Sequence, residues 1–272
     1  MNVQSGSRAP DPPRTTSDGI VATLAERVLS GALVAGDRLP SERHLALEFG
    51  ASRPMVREAL RSLTERGLIR VEPARGAFVR GDSASRPYPP LDLEYRRRGT
   101  TARQLSEARS MLEREAAALA TEHATAGDLQ ALEAALLRLE ASPTPLDRVR
   151  NDLAFHRALV AASHNPVIET MFSSILGLTV ELMVRSAGDA EIVRQSNPYH
   201  RIAFEAIRDR DAAAARTAVM AHLDIAAATY GEDYDRSLET TAAQALRLIG
   251  SGAGLEQFLR SVLPDGDEPP SP

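Results

Sequence analysis

Apolar positions recur at helical spacing over most of this chain, and the shorter period of a strand is confined to one stretch near residue 70. Ile20, Leu24 and Val28 fall on one face of a predicted helix that Gly31 closes. Ser41 is expected to cap a second helix ending near Gly50, with Leu45 and Phe49 turned inward. Ser52 is expected to cap a third, running to about Glu65, whose inner face is Val56, Leu60 and Leu63. Leu68 to Val71 and Ala77 to Arg80 are short β-type runs, and the turn Pro73 to Gly76 between them predicts a hairpin.

Residues 1–17 are rich in Pro, Ser and Thr and are expected to form a mobile tail, followed by a small domain over 18–83. The Pro-rich segment 84–100, with its run Arg96-Arg97-Arg98, has the composition of a linker. From Thr101 to about Tyr230 the pattern is helix after helix. Breaks are expected near Thr125-Ala126-Gly127, Ser142 to Pro145, Asn165-Pro166, Ser186 to Asp189 and Asn197-Pro198. With no strand pattern and no repeat, 101–232 reads as an antiparallel helical bundle. Residues 233–272 add an extension with an apolar stripe (Leu238, Ala242, Ala245, Ile249) that frays into acidic, Pro-rich sequence. The fold class expected is therefore mainly α, in two domains.

Composition sharpens this picture. Apolar residues make up 43% of the 272 positions and aromatics only 4%, with no Trp, a balance that favours helices over a β-sandwich. Without a single Cys, disulfides and thiolate metal sites are excluded. No apolar run approaches the length of a membrane span, and the first residues lack the apolar core of a signal peptide, so a cytoplasmic protein without a membrane partner is expected. All 32 basic residues are Arg, which a GC-rich genome explains more simply than function does. The net charge of -5 conceals an asymmetry. Residues 1–86 hold 13 Arg against 10 acidic residues, and the remainder holds 19 against 27. Positive charge is concentrated where a nucleic-acid surface needs it.

Two short helices joined by a tight Gly-containing turn and followed by a hairpin describe a winged helix-turn-helix, whose second helix enters the major groove of DNA. Arg53 and Arg57, four apart with Ser52 beside them, lie opposite the apolar face of that helix. An Arg fork suits a guanine edge or a phosphate. Arg43 stands at the start of the preceding helix, and Gly76 at the hairpin tip lets the wing backbone approach the minor groove beside Arg75. Any one of these Arg alone reads as a solvated surface residue; their joint order carries the signal. The stretch LPSERHLALEFGASRPMVREALRSLTERGLIRVEPARGAFV resembles the N-terminal domain of the GntR family of bacterial regulators over residues 18–80. By position, the resemblance implies DNA contacts by Arg43, Ser52, Arg53, Arg57 and Gly76. Ala51 departs from it, standing where a larger β-branched residue is common.

The second domain resembles the helical effector domain called FCD, through EARSMLEREAAALA (107–120), NDLAFHRALVAASHNPVI (151–168) and HRIAFEAIRDRDAAAARTAVMAHL (200–223). Asp152 and His156 are one helical turn apart and can bind one ion together. His200 shares a face with Ala203, Phe204 and Ile207, and His222 with Ala218, Val219 and Ile225. A lone His on such a face is usually a hydrogen-bonded core residue, but three with a carboxylate would be costly to bury without an ion. Imidazoles and a carboxylate form a divalent-metal site, zinc first, with nickel or manganese as alternatives. The resemblance implies the same four ligands. One carboxylate leaves a bound divalent ion with a net charge of about +1, which attracts a small carboxylic or hydroxy-acid effector. Arg109, at the edge of the stripe Leu105, Ala108, Leu112 and Ala116, is a second anchor for that acid or else a surface partner of Glu113. The resemblance implies the former. His44 and His123 read as surface or reader residues, and His164 as at most an outer neighbour of the metal.

Together these features predict a DNA-binding transcription regulator, a repressor by preference. It would act as a homodimer on a palindromic operator, its affinity set by an acid bound at the metal. The rival from another class is a metal-dependent enzyme of the helical-bundle type. Against it, no second carboxylate is evident beside the ligands, and the reader would have no role. An architectural DNA protein leaves the ionisable inner faces of the bundle unexplained.

Overall fold

In the computed structural model the described residues are 16–80, 89–238 and Val262, and contacts divide the chain after Ser83 into two compact units. In the first, α1 (Ser17–Leu29), α2 (Glu42–Glu48) and α3 (Arg53–Glu65) precede a hairpin of β1 (Ile69–Glu72) and β2 (Gly76–Val79). Each helix starts on a hydroxyl cap: Thr16 accepts from the Gly19 amide, Ser41 from His44 and Ser52 from Met55. Gly50, at φ +58°, makes the tight turn between α2 and α3. The strands pair antiparallel from Ile69 opposite Val79 to Glu72 opposite Gly76. A core of Ile20, Leu24, Leu45, Val56, Leu63, Ile69 and Val79 holds helices and hairpin together.

The second unit is helical throughout its described residues. It runs through α4 (Pro89–Arg97), α5 (Ala102–His123), α6 (Ala126–Glu140), α7 (Pro145–Ala161), α8 (Pro166–Ser174), α9 (Leu176–Ala187), α10 (Ala190–Arg208) and α11 (Ala212–Ala228). A helix, Pro89–Arg97, thus lies within the segment whose composition suggested a linker; proline suits a first helical turn, where its missing N–H has no acceptor to serve. Capping boxes at Thr101/Gln104 and Thr125/Asp128 set the starts of α5 and α6. Every residue of α9 from Leu176 to Val184 is buried, so α9 is the central rod of the bundle.

Two breaks differ from the sequence expectation. Pro198 does not end a helix: α10 runs through it, although an interior proline forfeits one backbone bond at a cost of about 3 kcal/mol. The buried face of Ser196, His200, Ala203, Phe204 and Ile207 holds the helix together across it. Conversely, the chain bends by 64° between α8 and α9, around Ile175, where no break is expected although Ser173, Ser174 and Gly177 flank it. Of the C-terminal extension, Leu238 donates its amide to the Thr100 carbonyl, and Leu238 and Val262 are buried in the bundle core. Ala242, Ala245 and Ile249 lie outside the described residues, as does most of the N-terminal tail.

Candidate functional site

α7 presents Asp152 and His156 one turn apart, α10 brings His200 and α11 brings His222. Ligand atoms of all four lie within 4.8 Å of one another. His156 Nε2 is 3.1 Å from His222 Nε2 and 3.3 Å from Asp152 Oδ1, and His200 Nε2 is 2.8 Å from the same oxygen. The four candidate ligands from the sequence are therefore brought together, with all three imidazoles buried. Three buried Nε2 atoms and one half-buried carboxylate oxygen converging on one point have the chemistry of a donor set for a divalent transition metal. The far edges of two rings fit that role: His200 Nδ1 lies 3.3 Å from the Asn197 carbonyl, and His156 Nδ1 meets the Glu113 carboxylate. Such partners fix ring orientation and leave Nε2 for an ion.

Glu113 is the site residue that sequence reasoning missed, and it corrects the expectation that no second carboxylate stands beside the ligands. It is wholly buried on α5, and one oxygen accepts from Arg109 Nε at 2.7 Å. The Arg109–Glu113 pair thus forms, but not at the surface, since Arg109 is itself only 1% exposed. Spacing made the pair visible; its burial depends on α5 being enclosed by α7, α9, α10 and α11, which one helix's pattern does not reveal. Glu113 is spent on Arg109 and His156, so it is an orienting group and not a base. Arg109 Nη2 and His222 Nδ1 are buried with no hydrogen-bond partner among the described residues. Unmet donors in such a place call for a polar ligand.

Electrostatics follows from these contacts. Burial alone would raise the Glu113 carboxyl, but Arg109 and His156 beside it hold it down at about 2. Asp152, likewise opposed by burial, is held well below the usual range by His156 and His200. Burial works against a proton on His156, yet Glu113 and Asp152 raise it to about 9. His222 is pushed well below its ordinary value by burial and by the neighbouring imidazoles. Without an ion the cluster therefore holds its positive charge on His156 while His222 stays neutral.

His164 is not near this cluster's ligands in bonding terms; its Nε2 lies 2.7 Å from Asp128 at the start of α6. In the first unit, Ser52 caps α3, and Arg43 and Arg53 are exposed with no hydrogen-bond or ion-pair partner among the described residues. Arg57 is engaged: its Nε and Nη2 donate to the two oxygens of Glu42 at 3.1 and 2.8 Å. Gly76 opens β2 at φ +110°, a conformation that favours glycine. Arg75 pairs with Glu72 and lies over the Phe78 ring.

Residues 16–79 match the family model for bacterial regulatory proteins of the gntR family, and residues 104–225 match the FCD domain. The galactonate operon transcriptional repressor of Escherichia coli is 32% identical over 212 residues, covering 75% of this chain and 92% of that repressor. The chain belongs to the GntR family. The HTH-type transcriptional regulator LutR of Bacillus subtilis is 29% identical, over 72% of this GntR chain and 92% of its own. The Glc operon transcriptional activator of E. coli is 29% identical over 88% and 96%. Among solved structures, a Streptococcus agalactiae GntR protein superposes with a TM-score of 0.62 at 25% identity, covering 77% of this chain and 97% of that one. This GntR protein is a DNA-binding transcription regulator with an effector domain, not an enzyme. Among its described residues no single helix is long and apolar enough to cross a membrane.

Proposed function

We propose that this regulator is a cytoplasmic homodimer that binds a palindromic operator as a repressor and is controlled by a small carboxylic or hydroxy acid held at a metal ion. The observation that carries the reading is the set of half-buried Asp152 and buried His156, His200 and His222 beside an Arg109 whose Nη2 lacks a hydrogen-bond partner among the described residues. Those four residues would hold the ion, zinc by preference with nickel or manganese as alternatives, because imidazole with one carboxylate suits all three. A bound divalent ion supplies a Lewis-acidic anchor for the acid's oxygens. Arg109 and Glu113 cancel in charge, so the ion with Asp152 leaves the site about +1, and Arg109 can add a hydrogen bond to a carboxylate. The galactonate operon repressor supports the class, since galactonate is itself a hydroxy acid.

For control of DNA, the acid must favour one conformer of the bundle, passed to the readers through the segment 84–100. In each reader Ser52, Arg53, Arg57 and Arg43 would meet the major groove and Gly76 the minor. Arg53 and Arg43, exposed and without a hydrogen bond among the described residues, are ready for DNA, while Arg57 approaches it held by Glu42. Replacing Arg53 by Ala is expected to cost about 1–3 kcal/mol in operator binding and to relax base preference at one position of each half-site. Binding to an operator selected from genomic fragments, compared with its single-base variants, measures this. An unchanged affinity profile would remove Arg53 from the reading face.

A further inference from the structure

The wing of the reader is backed by a third extended segment, and its outward side chain is a cation outside the recognition motif. Gly36 donates to the Val79 carbonyl at 3.0 Å, Val79 to Asp37 at 2.8 Å and Leu39 to Ala77 at 2.8 Å, so residues 36–39 pair along the free edge of β2. Arg38 stands opposite Phe78 in this pairing. Leu39 is buried in the core, and strand alternation sends Arg38 to the other face. Its guanidinium lies across Gly76: a Cβ added there would be 3.2 Å from Nε and 3.5 Å from Nη2. Arg38 also lines one groove with Glu42, Arg57, Arg61 and Gly76.

The other cations of that groove have partners. Arg57 gives two donors to Glu42, and Arg61 donates to Glu65 at 3.0 Å. Arg38 has no hydrogen-bond or ion-pair partner among the described residues. A planar fork with five donors, laid on bare backbone between wing and recognition helix, matches a phosphate, and a phosphate contact carries no base preference of its own. We propose that Arg38 grips a backbone phosphate of the DNA duplex, and that Gly76 lacks a side chain partly to leave room for this guanidinium. The proposal rests on the reading of this unit as the DNA binder.

The test uses full-length protein and two fluorescent duplexes, the operator selected from genomic fragments and a random sequence of equal length, over a range of salt. A phosphate contact contributes about 0.9 to the slope of log affinity against log salt. Arg38→Ala should weaken both duplexes by a similar factor and lower the slope by about that amount for each bound protomer. Arg38→Lys, which keeps the charge, should retain most of the slope. Melting temperatures of both variants separate loss of contact from loss of fold. An unchanged slope in a folded Arg38→Ala protein overturns the proposal and leaves the DNA reading intact. Failure of the wild-type protein to bind either duplex overturns that reading, and the proposal with it.

Discussion

Replacing Arg109 by Ala is expected to destabilise the helical unit by about 1–3 kcal/mol, because the buried Glu113 carboxylate loses a charged donor and keeps His156 as its remaining partner. The loss arises less from the attraction of the pair than from leaving a buried carboxylate with one charged partner in place of two. The double variant Arg109→Met/Glu113→Leu, similar in volume and apolar, should recover part of it, since His156 then keeps only Asp152 as a charged partner. Urea unfolding of the wild type, Arg109→Ala, Arg109→Met, Glu113→Leu and the double variant gives the first loss, and the last three with the wild type give the coupling. If Arg109→Ala costs under about 1 kcal/mol, the pair is hydrated in solution and its burial as described above is wrong.

The second large effect concerns the ion and the proton it displaces. In metal-free protein His156 titrates near 9 instead of 6.5, so its contribution is complete below 6.5 and is lost as pH rises through 9. His222 has the opposite sign, kept neutral in the fold, and erodes stability as pH falls below 6.5. Metal-free protein should therefore be most stable near pH 6.5 and lose on the order of 3 kcal/mol by pH 9. An ion bound to Nε2 takes the place of the His156 proton, so binding near pH 7.5 should release about one proton, seen by calorimetry in buffers of different ionisation enthalpy. At a thousandfold excess over its dissociation constant the ion should add about 4 kcal/mol of stability. Both effects should vanish in His200→Ala/His222→Ala. A double variant that still binds the ion fully would remove these residues from the site.

The sequence carried most of the reader, because short-range signals define it. Ser41, Ser52 and Gly50 act within a turn of where they stand, and the hairpin follows from its Pro- and Gly-containing turn. The bundle was legible in kind, and its four candidate ligands came from the spacing of Asp152 and His156 and from the apolar faces bearing His200 and His222. What stayed hidden depends on several helices at once. Glu113 looked like half of a surface pair until α7 placed His156 against it. Pro198 read as a break because the packing that overrides it lies on other helices. The bend at Ile175 carries only the weak local signature of Ser173, Ser174 and Gly177, and α9 could be recognised as the central rod only by what surrounds it.

The central claim is that an acid bound at the metal controls operator affinity. Its most direct test is anisotropy of a fluorescent operator duplex, selected from genomic fragments, titrated with galactonate and other hydroxy acids against metal-loaded and chelated protein. The account predicts that one of these acids changes operator affinity at least tenfold with the metal-loaded protein, and that chelation or His200→Ala/His222→Ala abolishes the response. Operator affinity unmoved by every acid, or moved equally without metal, would contradict it.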